Sequence, residues 1–216
     1  MTSPHQRRYV LGSRSPRRLE LLQQIVPPQL IEVRPPRSAA EDDFVGLKDW
    51  SSIESRLLEI ARAKCADVCD QIRESKADGL PIVITADTVV VVGPTDGSLQ
   101  VLGQPPDDAT WAEVVRRWFE EEYAGRTHVV ATAFCVAVPD RRIIDRIVRS
   151  SVAFHGDVKR WLDWYLATGE PRGKAGGYAV QGAGSIFVSR IDGSLSNVIG
   201  LPLRELLEVL TDHIAD

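Results

Sequence analysis

Ser13, Arg14, Ser15, Arg17 and Arg18 fall within six residues, directly after an apolar triplet, Tyr9-Val10-Leu11, that reads as a strand. A strand turning sharply into a helix presents unpaired backbone N–H groups and the positive end of the helix dipole at the turn. Pro16 suits the first helical position, because its missing N–H would have had no partner there. Ser15 before it is placed as an N-cap, although a capping hydroxyl can also turn toward a ligand. Arg17 and Arg18 add forked donors matched to phosphate oxygens. The run therefore reads as a polyphosphate cradle or as a plain capped helix with solvated arginines. Neither the GxxxxGK[ST] spacing nor a GxGxxG turn occurs at this place.

Asp87 is a carboxylate inside an otherwise apolar, β-branched run from Pro81 to Val92. A buried acid without a partner is costly, so Asp87 is expected to face a cleft and to bind a metal or activate water; capping of a local turn is the alternative. Glu41, with Asp42 and Asp43, offers a second metal-facing oxygen or forms a solvated loop. Lys64 interrupts the small, apolar stretch Ala61 to Ala66 and either snorkels to solvent or reaches a phosphate. Gly173 to Gly184 carries five glycines in twelve positions, which lets backbone N–H groups approach a ligand closely. Gln181 within it has the donor and acceptor needed to read a base edge; a surface loop is the other reading. Asn197 is expected to order a turn before the last helix. His128 and His155 sit in strand-like stretches with no nucleophile pattern nearby, which argues against a Ser-His-Asp hydrolase.

These residues need elements to hold them. A helix is predicted over 16–26, stopped by Pro27-Pro28, with a strand from Gln29 to Val33 after it. Pro35 to Asp49 is polar and reads as a mobile loop. The spacing of Ile53, Leu57, Ile60, Ala61, Val68 and Ile72 predicts a helix from Ser51 to Ser75. Pro81 to Val92 is typical of a strand buried on both faces, and Pro94 to Gly97 turns it back into Leu99 to Leu102. A helix from Asp107 to Glu121, strands Thr127–Val138 and Arg142–Phe154, a helix from Gly156 to Ala167, a strand Ile186–Ile191 and a helix from Leu203 to His213 complete the chain. Helices alternate with strands, but the long middle hairpin must be antiparallel. The expected class is α/β or α+β with one extended mixed sheet.

Composition narrows the function classes. With 216 residues, 44% of them hydrophobic, the chain can bury a full core, in one large domain or two closely joined lobes. A formal net charge of −4 argues against nonspecific nucleic-acid binding through a basic field. Cys65, Cys69 and Cys135 cannot all pair, so reduced thiols and a cytoplasmic location are expected. Cys65 and Cys69 lack two further ligands nearby and read as buried filler rather than a metal pair. No apolar run reaches the ~20 residues of a membrane span, and Met1 to Arg8 is too short and polar for a signal peptide.

Five blocks together carry a resemblance. Ser13-Arg14-Ser15-Pro16-Arg17-Arg18, Ala86-Asp87-Thr88-Val89-Val90, Gly125-Arg126-Thr127-His128, Lys174-Ala175-Gly176-Gly177-Tyr178-Ala179-Val180-Gln181-Gly182 and Asn197-Val198-Ile199-Gly200-Leu201-Pro202-Leu203 resemble, in order, the signatures of the Maf family of nucleoside triphosphate pyrophosphatases. The resemblance implies a single Maf-like domain over residues 1–216, with a two-lobed α/β fold (Maf/ITPase-like) around an extended mixed sheet and a cleft between the lobes. It implies cleavage of the α–β phosphoanhydride of a nucleoside triphosphate with Mg²⁺ or Mn²⁺, and a homodimer. Asp87 matches the family's catalytic acid, the proposed general base. Ser13, Arg17 and Arg18 match the phosphate-binding opening, Glu41 the acidic loop residue that would share the metal with Asp87, and Lys64 the helix lysine. Arg17, Thr88 and Gln181 fall at positions linked to base choice. Asp87-Thr88 with Gln181 resembles the branch preferring dTTP and UTP, whereas the 7-methyl-GTP branch carries Asp-Gln. One departure stands out. Gly103-Gln104-Pro105 replaces the family's Gly-Lys-Pro, removing a positive charge for which Arg14 or Lys174 would compensate. A nucleotide-binding regulator of septum formation, with little catalysis, is the alternative.

Overall fold

The computed structural model describes residues 7–37, 44–75, 80–93, 97–139 and 142–214. In chain order the strands are β1 (Tyr9–Gly12), β2 (Ile31–Val33), β3 (Ile82–Val92), β4 (Gln100–Leu102), β5 (Thr127–Ala137), β6 (Ile143–Phe154) and β7 (Val188–Asp192). The helices are α1 (Pro16–Leu22), α2 (Trp50–Glu74), α3 (Trp111–Arg117), α4 (Lys159–Ala167), α5 (Leu195–Ile199) and α6 (Leu203–Ile214). All seven strands form one mixed sheet in the order β2-β1-β3-β5-β6-β7, with β4 also paired to β3. β1 is parallel to β2 and β3; the other pairings are antiparallel. The extended mixed sheet flanked by helices is therefore as expected.

Side-chain alternation along β3 explains the layers. Val83, Val89 and Val91 face α2, packing with Ile53, Leu57, Ala61 and Val68. On the opposite face, Ile82, Ile84 and Ala86 are covered by Leu21 and Leu22 of α1 and Leu206, Val209 and Leu210 of α6. Further along that face, Val90 and Val92 join a different cluster with Trp118, Phe119, Tyr165 and Phe187. The cover thus changes around Thr88, paired in register with Thr132 of β5. That seam separates two apolar clusters on this face of the sheet, while the α2 face stays continuous.

A second feature opens the seam to solvent. β1 ends opposite Thr85, whereas β4 begins pairing at Val90. Between them, residues 86–89 have no strand beside them on that edge among the described residues. Side chains from both faces of β3 can therefore reach one space beyond the C-terminal end of β1.

Several local expectations are corrected. The first helix stops at Leu22 and continues to Val26 only as turns, with Ile25 and Val26 donating to Leu22 O. Pro28, which fixes its own φ, starts a 3-10 turn, Pro28–Leu30, where the strand was expected to begin. Asp107 to Thr110 is not helical: Asp108 Oδ1 accepts from Thr110 N at 2.8 Å and Thr110 Oγ1 at 2.6 Å, closing a turn instead. The helix then widens into a π-helical turn, Trp118–Tyr123, which buries Trp118, Phe119 and Tyr123 together. α4 starts at Lys159, and a 3-10 turn, Ala183–Phe187, occupies the beginning of the expected seventh strand. α5 was not anticipated. The three cysteines are free thiols, and no described helix is long and apolar enough to cross a membrane.

Candidate functional site

The gap beside β3 opens into a cavity of about 1090 Å³ lined by Ser13, Arg17, Arg18, Lys64, Asp87, Thr88 and Gln181, among others. The sequence-predicted residues within the described part of the chain therefore meet in one place. Glu41, Asp42 and Asp43 lie outside the described residues.

The turn after β1 is built around Gly12 and Ser13. A Cβ on Gly12 would lie 2.6 Å from Thr85 Cγ2 and 2.9 Å from Val68 Cγ2, so only glycine lets β1 leave the sheet here. Ser15 stands at the N-cap position, but its side chain makes no capping bond. The buried Ser13 hydroxyl holds the turn instead, accepting from Ser15 N at 3.1 Å. With α1 only two turns long, its dipole is a smaller source of positive potential than expected, and the arginines matter more.

Arg18 is fastened from three sides. Its Nε donates to Gly200 O at 2.8 Å, one terminal nitrogen to Thr88 Oγ1 at 3.0 Å and the other to Ser13 Oγ at 3.4 Å. Burial lowers its pKa, and the negative charge of Asp87 opposes that shift. The Gly200 carbonyl is aimed by α5, whose C-terminus needs the positive φ of Gly200, +127°. Asn197 does more than order a turn: it is fully buried, and its Nδ2 donates to Val130 O at 3.1 Å and Ser150 Oγ at 3.0 Å, bolting α5 to β5 and β6. Thr132 Oγ1 closes the network between Thr88 Oγ1, 2.9 Å away, and Asn197 O, 3.2 Å away.

Asp87 lies on the α2 face of β3. Thr85 Oγ1, two residues earlier on the same face, donates to Ala61 O at 2.8 Å. Lys64 is three residues beyond Ala61 and so on the same side of α2. That docking brings Lys64 Nζ to 2.5 Å from Asp87 Oδ1, with the two side chains 22% and 19% exposed. Lys64 thus does not snorkel free into solvent; its partner is the carboxylate.

The remaining cations flank the cavity. Arg17 has its pKa lowered by burial, with Glu170 and Glu20 acting in the opposite sense. Burial and the like charge of Arg17 both lower Lys174, while Glu170 raises it. Arg14 turns a terminal nitrogen to Pro36 O at 3.1 Å. The segment carrying Gln104 adjoins the glycine-rich loop, because Gly176 N donates to Gly103 O at 2.9 Å.

That loop is not a free surface turn. Tyr123 OH donates to Gly176 O at 2.9 Å, Tyr165 OH to Gly177 O at 3.2 Å, and the Tyr178 hydroxyl lies 2.7 Å from His128 Nε2. Gly176, at φ +68°, would put a Cβ 2.6 Å from Tyr123 OH and from Val90 Cγ2. These tyrosines and His128 were not anticipated as supports of the site. The presence of Tyr178 and His128 in two of the recurring blocks was the signal that could have joined them.

The fit of a divalent cation can be judged from Asp87. Lys64 takes one of its oxygens, and the other makes no hydrogen bond to the described residues. Among the described residues there is no group of three His, Cys, Asp or Glu able to hold a metal. One carboxylate suits Mg²⁺, which is commonly bound by one or two carboxylates together with substrate phosphates. It does not make an all-protein cage.

Comparison with known proteins bears on the whole chain. A family model described as Maf-like protein matches residues 8–213. The dTTP/UTP pyrophosphatase of Anaeromyxobacter dehalogenans (strain 2CP-1 / ATCC BAA-258) is 38% identical over 208 residues, covering 94% of this chain and 92% of the relative. The dTTP/UTP pyrophosphatase of Brucella abortus (strain 2308) is 33% identical over 207 residues, covering 96% and 92%. A solved nucleoside-triphosphatase / dITP/XTP pyrophosphatase from Mycobacterium abscessus aligns with 96% of this chain and 95% of its own at 16% identity and a TM-score of 0.40, too slight a likeness to bear on function.

Proposed function

The chain belongs to the Maf-like family, and on that premise we propose that residues 1–216 form a single Maf-like domain that hydrolyses the α–β phosphoanhydride of dTTP or UTP, releasing the monophosphate and pyrophosphate. The observation that carries this reading is the meeting of Asp87, as the one carboxylate lining the described cavity, with Arg17, Arg18, Lys64 and Lys174 around the same space. A triphosphate brings several negative charges, and its hydrolysis calls mainly for charge neutralisation and in-line placement of water.

Asp87 activates the attacking water through Oδ2, either directly as its base or through the metal it would share with Glu41, while Lys64 holds Oδ1 and keeps the carboxylate oriented. Ser13, Arg17, Arg18 and Lys64 bind phosphate oxygens, and Lys174 supplies charge on the wall where Gln104 does not. Mg²⁺ or Mn²⁺ is the cofactor of this reading: Asp87, Glu41 and substrate phosphates would hold it, and it would supply charge neutralisation and a more acidic water. Gln181 reads the pyrimidine edge. Thr88 acts on substrate choice through Arg18, whose guanidinium its hydroxyl receives. A cytoplasmic homodimer that binds neither nucleic acid nor membrane completes the proposal.

Pyrophosphate release from a panel of nucleoside triphosphates with Mn²⁺ tests it, with dTTP and UTP expected to lead. No release from any triphosphate by folded protein overturns it. Gln104 favours one second reading, a nucleotide-binding regulator of septum formation, which binding of dTTP by calorimetry without turnover would support.

A further inference from the structure

Glu170 does not line the cavity, yet its carboxylate organises the wall that carries Gln181. It follows α4 in a turn where its own N–H donates to Thr168 Oγ1 at 3.1 Å. Oε2 accepts from Ala183 N at 2.7 Å, and Oε1 from Gly184 N at 2.9 Å. The Tyr165 hydroxyl, whose other acceptor is Gly177 O, reaches Oε1 at 3.1 Å. Two successive amides at the start of the 183–187 turn thus find both acceptors on one side chain, as they would at an N-cap, but from a distant part of the sequence. The fit leaves no room for a side chain at the intervening position: a Cβ on Gly182 would lie 2.2 Å from Glu170 Oε2. Gln181 is the residue immediately before this clamp.

We propose that Glu170 is a positioning residue for nucleobase recognition, its carboxylate fixing residues 182–184 so that Gln181 is presented to the base. The proposal rests on the nucleotide-cleft reading above. Glu170 touches no substrate and takes no part in the chemical step. Its charge also acts favourably on Arg17 and Lys174.

Glu170→Gln keeps the size of the side chain but sets an amide NH₂ against one backbone N–H. Steady-state kinetics with dTTP, UTP and dGTP should show KM for the two pyrimidine nucleotides rising about tenfold and their advantage over dGTP shrinking by a similar factor, the loss typical of one charged hydrogen bond. kcat should stay within about twofold, since transition-state contacts are untouched. Hydrogen exchange at the Ala183 and Gly184 amides should accelerate. Gly182→Ala, which displaces the carboxylate without removing its charge, should give the same signature and serves if Glu170→Gln does not fold. An equal fall in kcat on all nucleotides with KM unchanged overturns the proposal, as does an unchanged nucleotide preference. Should the wild-type protein bind nucleotides without turning them over, the dTTP-to-dGTP affinity ratio measured by calorimetry decides the clamp separately from the failed hydrolase reading.

Discussion

The ammonium of Lys64 lies 2.5 Å from one carboxylate oxygen of Asp87, joining α2 to β3 inside the cavity. The pair is set by backbone docking: Thr85 holds Ala61, and the periods of strand and helix bring the next residues on those faces together. Asp87→Asn keeps the shape and one carbonyl oxygen for Lys64, so the fold should persist with a similar melting temperature. Removing a general base typically costs about 10²- to 10⁴-fold, and a loss of that size in pyrophosphate release is expected. An unchanged rate removes Asp87 from the mechanism.

Arg18 presents three nitrogens to three acceptors on different elements, a geometry that a lysine's single ammonium cannot reproduce. Arg18→Lys is expected to lower kcat/KM about 10- to 100-fold, the equivalent of about 1.5–3 kcal/mol for charged hydrogen bonds. Thr88→Val removes one of those acceptors, so its effect should be much smaller in the Arg18→Lys background than in the wild type. Additive losses would separate Thr88 from Arg18.

The long elements were legible because burial leaves a long periodic trace. β3 is apolar on both faces, and α2 repeats its buried positions from Ile53 to Ile72. Shorter elements were not, since single contacts decide them: Asp108 diverts Asp107 to Thr110 into a turn, and Asn197 secures α5 from within the core. The site divides in the same way. Ser13, Arg17, Arg18 and Asp87 announce themselves by residue type beside a strand end. The partner of Lys64 does not, because the ion pair depends on which face of α2 meets β3. Likewise, nothing local to Thr88 foretells that its hydroxyl receives Arg18, and the groups that tie the glycine loop, Tyr123, Tyr165 and His128, come from separate elements.

His128 gives the fold a pH dependence of definite sign. It is buried against the rings of Tyr123, Phe154 and Tyr178, with Nδ1 lacking a hydrogen-bond partner among the described residues, and burial holds its pKa down to about 3 from 6.5. Between those values the unfolded chain binds a proton that the folded chain does not, so stability is full above pH 6.5 and falls as pH drops, at about 1.4 kcal/mol per unit. His128→Gln should lack this component. Urea unfolding should show wild type losing about 2 kcal/mol more than the variant between pH 7 and pH 5. Parallel losses would mean that His128 is protonated in the folded core.

Gln104 stands where the family's lysine is expected, and the two residues that could compensate are placed differently. Arg14 is engaged with Pro36 O, whereas Lys174 extends from the loop that Gly176 N ties to Gly103 O. Lys174 already meets repulsion from Arg17, so a further lysine on this wall gains less than an isolated charge would. Gln104→Lys is therefore expected to raise kcat/KM for dTTP by less than the roughly tenfold that one charged hydrogen bond can supply. Lys174→Met should be more damaging in the native background than alongside Gln104→Lys, because only the native protein relies on Lys174 for this charge. Equal losses in both backgrounds would show that the two positions act independently and that Lys174 does not stand in for the missing lysine.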